Sequence, residues 1–396
     1  MEEVIQATTP GPAPRPRPIR QFIVKIHGRC DMACDYCYVF RMPDQEWRNR
    51  PRSMSAPVVD ALAGRIAEHV RRHRIPAVEV VLHGGEPLLA GEQALEYTVD
   101  TIRRAVRGAG KVRVVVQTNG LRLTPAVLDM FVRHRIGISV SLDGDRDAND
   151  RHRRTAGGRG TFDAVAAALH RVNAGPAREL FRGLLCTIDL DNPPVETYLA
   201  LKSFRPPMID FLLPHGNWTQ PPPGLRAGSS RTPYAEWLIA VFDHWYAEPA
   251  EDTRIRRFEQ IIGLLLGGHS GLEGVGLSYP GSVVIETDGS LVASDSLTSA
   301  FPGATRSGLH LHRDDFDAVL NLPEMAERRS GRAGLPATCR ACALHPVCGG
   351  GLRTHRYRSG AGFDNPSVYC RDLARLIGHI RGRLQQDVTR LQSEVA

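Results

Sequence analysis

The chain has 396 residues, of which 42% are hydrophobic and 23% charged, with 38 glycines and 28 prolines. This is the composition of a globular protein of two or more modules and excludes fibrous, collagen-like and wholly disordered chains. The formal net charge of +7 comes from 50 Lys+Arg against 43 Asp+Glu, but the arginines are scattered among acidic residues rather than clustered with aromatics, so nucleic acid is not an expected partner.

Residues 1–19 hold ATTPGPAPRPRP, a Pro/Arg/Ala stretch expected to form a disordered lead-in. From Gln21 a short β-branched run followed by a longer helical pattern recurs. The runs are Phe22 to Ile26, Val78 to Leu82, Val112 to Val116, Ile136 to Leu142, Leu180 to Ile188 and Ile209 to Leu213. Helical stretches between them include Pro57 to His73, Ala94 to Val106, Pro125 to Val132 and Phe162 to Asn173. Alternation of this kind implies a parallel sheet with strands buried on both faces, either a partial (β/α) barrel or a doubly wound sheet. In both, chemistry belongs beyond the C-terminal ends of the strands.

Residues 20–215 are thus expected to form one core domain. A Pro/Gly-rich break, Pro214 to Gly228, opens a linker with bridging helices over 216–274, near 233–247 and 253–267, with Thr232 as N-cap and Pro233 at the first helical position. A hairpin around Asp288-Gly289 and a cysteine cluster make a small α+β module over 275–375. The last element, 376–396, reads as a helix, with Leu373, Leu376, Ile377, Ile380, Leu384, Val388 and Leu391 on one face. No apolar run reaches membrane-span length, the longest being broken by Asp243 or Gly263, and no hydrophobic signal core opens the sequence. A cytoplasmic protein with no membrane partner is expected, so its eight cysteines read as metal ligands or catalysts before disulfides.

Cys30, Cys34 and Cys37 form C-x3-C-x2-C directly after the first strand. Chance gives such a placement with a probability of roughly 0.003. Three thiolates suit a [4Fe–4S] cluster with its fourth iron open and therefore reactive. A closed zinc site is the alternative, with His27 as its nearest fourth ligand. The second strand ends in His83-Gly84-Gly85-Glu86-Pro87, where two glycines admit a ligand to the backbone, Glu86 can accept from an ammonium group and Pro87 stops the ladder.

Together these motifs resemble those of the radical S-adenosylmethionine (SAM) enzymes. The resemblance implies that the amino and carboxylate groups of SAM chelate the open iron and that the reduced cluster cleaves SAM to a 5′-deoxyadenosyl radical. It also implies that Tyr36 lies near the adenine. Gln117 and Asn119 after the third strand, and Ser141 after the fourth, would contact SAM. Arg153 would pair with its carboxylate, with Arg154 and Arg159 as alternatives.

Cys339-x2-Cys342-x5-Cys348, with Cys370 further on, resembles the SPASM domain of peptide-modifying radical SAM enzymes. That domain's full pattern carries two auxiliary clusters. Here the positions aligned with the first cluster read Ser278, Ser294 and Leu352, so only the second is expected, with all four irons closed; a zinc ribbon is the alternative. Asp295 stands where sulfatase maturases of this architecture hold an acidic base.

Other candidates are plainer. Cys186 reads as a buried inert thiol, the His310/His312 pair lacks a further ligand, and the glycines at 268, 271 and 274 read as a loop.

The stretch from about 20 to 375 is similar to the FxsB-type radical SAM/SPASM peptide maturases, through DYCYVF, VVLHGGEPLLAG, SLDGDRDANDRHRR, GLLCTID, DFLLPH, IETDGS and CGGGLRTHRYRSGAGFDNPSVYC. The likeness implies a partial (β/α)6 barrel, a helical bridge and a SPASM-like iron–sulfur module. Its cofactors would be SAM, the SAM-binding [4Fe–4S] cluster and one auxiliary [4Fe–4S] cluster. It implies cyclophane formation in a short ribosomal precursor peptide, joining an aromatic side chain, often Phe, to the β-carbon of a nearby residue, with electrons from a flavodoxin- or ferredoxin-type donor. A further C-terminal domain of some relatives is not expected here. Alternatives are formylglycine, thioether or epimer formation and, from another class, a non-catalytic zinc-binding module, since fold does not fix reaction.

Overall fold

The computed structural model describes residues 18–226, 228–249, 252–278 and 281–395. Most of the predicted lead-in lies outside these residues. Its end does not fit the expectation, because Ile19 is apolar and fully buried in the main core.

Nine strands form one sheet in the order β7-β6-β5-β4-β3-β2-β1-β8-β9. The strands are β1 (Gln21–His27), β2 (Ala77–Gly84), β3 (Lys111–Thr118), β4 (Ile136–Ser141), β5 (Phe181–Thr187), β6 (Met208–Leu212), β7 (Arg254–Ile255), β8 (Ser282–Ile285) and β9 (Leu291–Val292). All neighbours are parallel except β8 and β9, which form the hairpin expected around Asp288-Gly289. This is an α/β fold built on a largely parallel sheet, and all six strand runs read from the sequence are present.

Burial is not equal on the two faces. Along β2 the pattern alternates strictly, with Val78, Val80 and Leu82 buried against helices. The other face, with Ile23, Val81 and Val115, lines an open bore of about 1370 Å³. The expectation of strands buried on both faces therefore gives way, because an incomplete barrel leaves its inner face half-exposed. Outside the sheet, Ala56–His73 starts with Pro57 in its first turn and buries Val59, Leu62, Ala63, Ile66 and Val70. A short helix absent from the sequence reading, Arg146–His152, is capped by Asp145, whose side chain accepts from the Ala148 amide.

β8 joins the edge of β1, so the chain after the break completes the same sheet that the barrel begins. The bridging helices are Pro233–Tyr246 and Arg256–Leu265. Thr232 makes no side-chain cap. Instead Asp372, from the C-terminal helix, accepts from the amides of Tyr234 (2.9 Å) and Ala235 (3.0 Å), a tertiary cap that locks the two helices together. That helix runs Cys370–Val395, starting earlier than expected. Leu373, Leu376, Ile377 and Ile380 are buried, whereas Val388 (51% exposed) and Leu391 (56%) are not, because the helix runs on past its partner. Among the described residues no helix is long and apolar enough to cross a membrane.

Candidate active site and cysteine centres

The loop leaving β1 carries Cys30, Cys34 and Cys37 across the C-terminal end of the sheet. It is tied to the end of β2, the Gly85 amide donating to the His27 carbonyl and the Glu86 amide to Arg29, each at 2.9 Å. A Cβ on Gly84 would sit 2.1 Å from the His27 oxygen, and one on Gly85 2.5 Å from the Arg29 carbonyl. The glycine pair is needed first for this crossing of chain on chain. Both glycines also line a cavity of about 670 Å³ shared with the three cysteines.

Burial pushes the Cys30 thiol up to about 12 and Cys34 to about 11, and raises Cys37. Donors are already aimed at the sulfurs: the Met32 amide lies 3.4 Å and Asn119 Nδ2 3.7 Å from Cys30 Sγ. Arg153 favours the thiolates of Cys34 and Cys37. Such a setting suits thiolates whose charge is taken up by a metal.

Among the described residues, the one His/Cys/Asp/Glu trio with all ligand atoms within 4.8 Å of one another is His69, His73 and Asp317. No three cysteine sulfurs among the described residues lie that close together. His27, the nearest zinc alternative, directs Nδ1 to the Arg29 backbone.

The polar end of the cavity is built by Tyr36, Asp143 and Arg153. The Tyr36 hydroxyl donates to Asp143 Oδ2, Arg153 donates to that hydroxyl at 3.0 Å, and Asp143 Oδ1 accepts from the Thr187 amide at 2.9 Å. Burial opposes the charge on Arg153, but Tyr36 and Asp143 outweigh it and raise its pKa. Its Nε has no protein partner. A buried guanidinium with a free donor on the cavity wall fits a carboxylate ligand. Of the three candidate arginines only Arg153 lines the cavity; Arg154 and Arg159 are exposed. Asp143, which the sequence reading passed over in favour of Ser141, is the hub of this end.

Glu86 is fully buried and does not line the cavity. Its carboxylate accepts from the Asn119 amide (2.7 Å), the Leu88 amide (3.0 Å) and the Thr118 hydroxyl (2.7 Å). Burial nevertheless lifts its pKa to about 7. In this structure its contacts fasten β3 to the glycine turn rather than face an ammonium group. Pro87 opens the short turn Pro87–Ala90 and is buried. Gln117 donates to Ser141 at 3.0 Å, and both side chains face the cavity with Asn119.

Asp295 enters from the turn after β9. Its Oδ2 accepts from the Tyr38 hydroxyl at 2.8 Å and lies 3.8 Å from Lys25 Nζ. Burial pushes its pKa up, but Lys25, His83 and Tyr38 together hold it below the usual carboxylate range. Lys25, one of three lysines in the chain, is buried and donates to Glu286 at 2.9 Å. Burial lowers the pKa of His83, whose Nδ1 is unpartnered. His215 stacks on Tyr38 at 4.5 Å and is lowered to about 4 by burial. Lys25, Tyr38, His83 and His215 escaped the sequence reading. A lone lysine inside an apolar strand of an arginine-rich chain was the available signal.

Cys339, Cys342, Cys348 and Cys370 converge elsewhere, outside the cavity wall. Cys348 is lifted to about 12 by burial and by its three neighbours, and Cys370 begins the C-terminal helix. The three positions that the resemblance matched to a first auxiliary cluster hold other contacts. Ser294 bonds to Ser296 (2.8 Å) and Glu273 (3.3 Å), and Leu352 lines the cavity. Ser278 borders a hole of about 50 Å³ walled by Arg328, Arg353 and Arg356 and their partners Glu273 and Glu327. Cys186 is buried in β5, its thiol raised by burial, and is inert. His310 and His312 stack at 5.2 Å, but His310 Nε2 is taken by the Asp288 carbonyl.

Residues 24–175 match the model of the Radical SAM superfamily. The chain is 20% identical over 390 residues to a serine-type anaerobic sulfatase-maturating enzyme of Bacteroides thetaiotaomicron, covering 93% of this chain and 91% of that one. It is 22% identical over 290 residues to a cysteine-type enzyme of Clostridium perfringens, covering 70% and 74%. Among solved structures, native anSMEcpe with bound AdoMet superposes with a TM-score of 0.76 at 18% identity, over 94% of this chain and 99% of that one. Streptococcus suis SuiB bound to its precursor peptide SuiA gives 0.60 at 12%, over 89% and 76%.

The fold is that of the radical SAM enzymes, with a module similar to the SPASM-like domain, and the superfamily match indicates an enzyme. The two curated relatives above are named as sulfatase-maturating enzymes, not as cyclophane-forming ones. SAM and iron–sulfur clusters are the cofactors of this class, and the residues fit them: three thiols with donors aimed at them and, in the same cavity, the unpartnered Nε of Arg153, whose charge favours the thiolates of Cys34 and Cys37.

Proposed function

We propose that the chain joins an aromatic side chain, such as Phe, to the β-carbon of a nearby residue in a short ribosomally made precursor peptide. The observation that carries this reading is the make-up of the cavity. Beside its cysteines and Arg153 the lining includes the apolar side chains Phe40, Trp47, Leu213, Leu272 and Leu352. Leu352 occupies a position aligned with a cysteine of the first auxiliary cluster, so a redox position has become part of a wall suited to a ring. Solved neighbours holding peptides, SuiA on SuiB and Cp18Cys on anSMEcpe, support a peptide substrate. A flavodoxin- or ferredoxin-type protein would supply electrons.

When bound, the cofactors held by Cys30, Cys34 and Cys37, with Arg153 on the SAM carboxylate, supply a carbon radical that removes a β-hydrogen, and the Cys339, Cys342, Cys348 and Cys370 set supplies an electron acceptor. The chain's own residues do the rest. Tyr36, Asn119, Gln117 and Ser141 position the nucleoside end, while the apolar wall excludes water from the substrate carbon. Attack of the β-carbon on the ring leaves an adduct that must lose one electron and one proton, so the peptide loses two hydrogens in all. Asp295 takes the proton at its carboxylate. A carboxylate held low is a weak base, but the ring proton of an oxidised adduct is strongly acidic, and a weak base is enough. Lys25 keeps that carboxylate charged and Tyr38 fixes its direction.

Anaerobic co-expression with the short reading frame beside the gene, followed by tandem mass spectrometry, tests the reading. Loss of two hydrogens, with no backbone fragments between an aromatic residue and one two positions on, is expected. The second reading is formylglycine formation, favoured by the sulfatase-maturating relatives and by Asp295. It predicts loss of two hydrogens at a serine, or at a cysteine loss of two hydrogens with sulfur replaced by oxygen, each with normal fragmentation, and that result would replace the crosslink.

A further inference from the structure

The geometry points to a divalent-metal site of the zinc type, built from His69, His73 and Asp317 on the outer flank of the barrel. His69 and His73 are one helical turn apart at the end of Ala56–His73 and so share a face. Asp317 comes from the short turn Phe316–Val319, more than 240 residues later. The site is remote from the cavity and uses none of its residues.

Ring-proton accounting at His69 carries the inference. Its Nε2 lies 3.1 Å from the Ile19 carbonyl, which only accepts, so Nε2 bears the hydrogen. Its Nδ1 lies 3.3 Å from Asp317 Oδ1, which also only accepts. A neutral imidazole has one N–H, so the Nδ1 lone pair is left facing a carboxylate. Protonating the ring would resolve the conflict only by placing a charge on a side chain that is 3% exposed and packed edge-on against Phe22 and Phe316.

A cation shared by Nδ1, Asp317 and His73 resolves it without charging the ring. The Nε2–H···O=C bond is then the usual outer support of a ligating histidine. His73 Nε2 is 2.9 Å from Asp317 Oδ1, so two edges of the triangle measure 2.9 and 3.3 Å. Ligand bonds of about 2.0–2.1 Å in a tetrahedron give edges of about 3.3 Å. Arg72 holds Asp317 Oδ2 at 3.2 Å and pairs with Asp315 and Glu68, while Oδ1 faces both rings and His73 Nε2 also lies 3.0 Å from Oδ2. Two imidazoles and a carboxylate select zinc, cobalt or nickel over magnesium or calcium. His73 and Asp317 are half-buried, so a water can complete the set. Such an ion would clip the first helix of the barrel to the segment that follows β9.

The test uses full-length enzyme with its clusters loaded with iron and sulfide. It is given a small excess of Zn²⁺ and desalted, and zinc and iron are counted by mass spectrometry. The site predicts about one zinc retained per chain at unchanged iron, falling at least about tenfold in His73→Gln and in Asp317→Asn. It also predicts that zinc raises the melting temperature of the wild type but of neither variant. Zinc retained equally by the variants, zinc taken up only as iron is lost, or no zinc retained by the wild type would each overturn it.

Discussion

The two cysteine sets differ in what surrounds them rather than in the sulfur chemistry they offer. Cys30, Cys34 and Cys37 open onto the cavity beside Arg153 and Asn119, and three thiolates leave a cluster one iron free. Cys339, Cys342, Cys348 and Cys370 converge away from that cavity, with Cys342 exposed at the surface, and four thiolates leave no iron free. One set is built to meet a substrate and the other to exchange electrons. At the positions where the resemblance would put a third set, Ser294 bonds to Glu273 and Leu352 lines the cavity.

Substitutions that break one set at a time should separate these roles. Cys34→Ala should abolish both 5′-deoxyadenosine release and peptide modification and lower iron by about four per chain. Cys342→Ala should lower iron by a similar amount and stop peptide modification while SAM cleavage continues. If Cys342→Ala also stopped cleavage, the division of labour would be wrong.

Asp295→Asn sharpens the contrast inside the cavity. Product should fall by roughly 10²–10⁴, the usual range for losing a general base, while deoxyadenosine release persists. Product and deoxyadenosine measured side by side decide this, and an equal fall in both would place Asp295 in SAM binding instead.

Arg153→Gln should weaken SAM binding by about 1.5–3 kcal/mol, read as a rise in the SAM concentration for half-maximal cleavage. A fall in kcat at unchanged SAM affinity would argue against the carboxylate contact.

The smallest effect concerns Glu86, whose pKa in the fold is about 7. Its folded value lies above the unfolded one, so its favourable contribution is complete below about 4.5 and is lost as pH rises through about 7. The melting temperature of the wild type minus that of Glu86→Gln should therefore shrink between pH 5 and 8. A difference that grew over that range would mean that the three donors outweigh burial.

Much of this was legible in the sequence because it is local. The strand runs, the Cys30–Cys34–Cys37 spacing and the glycine turn lie within short windows whose residue types dictate their geometry. What stayed hidden depends on contacts across long separations. Pairing of β8 with β1 brings Asp295 to Lys25, some 270 positions away in the chain, and no periodicity announces it. The short helix Arg146–His152 is too polar to show an apolar stripe, yet it delivers Arg153 to the cavity. Asp372 replaced Thr232 as a helix cap for the same reason, a partner more than 130 residues distant. Glu86 was legible as a special residue but not in its role, because its three donors come from two different strand ends.

The most direct test of the two-centre account is the iron and sulfide content of the anaerobically reconstituted protein, measured with and without the C-terminal cysteines. The account predicts about eight irons and eight sulfides per chain, about four of each when Cys339, Cys342, Cys348 and Cys370 are replaced, and a cluster spectrum that SAM alters in both proteins. About twelve irons, or stoichiometric zinc in place of iron at either set, would contradict it.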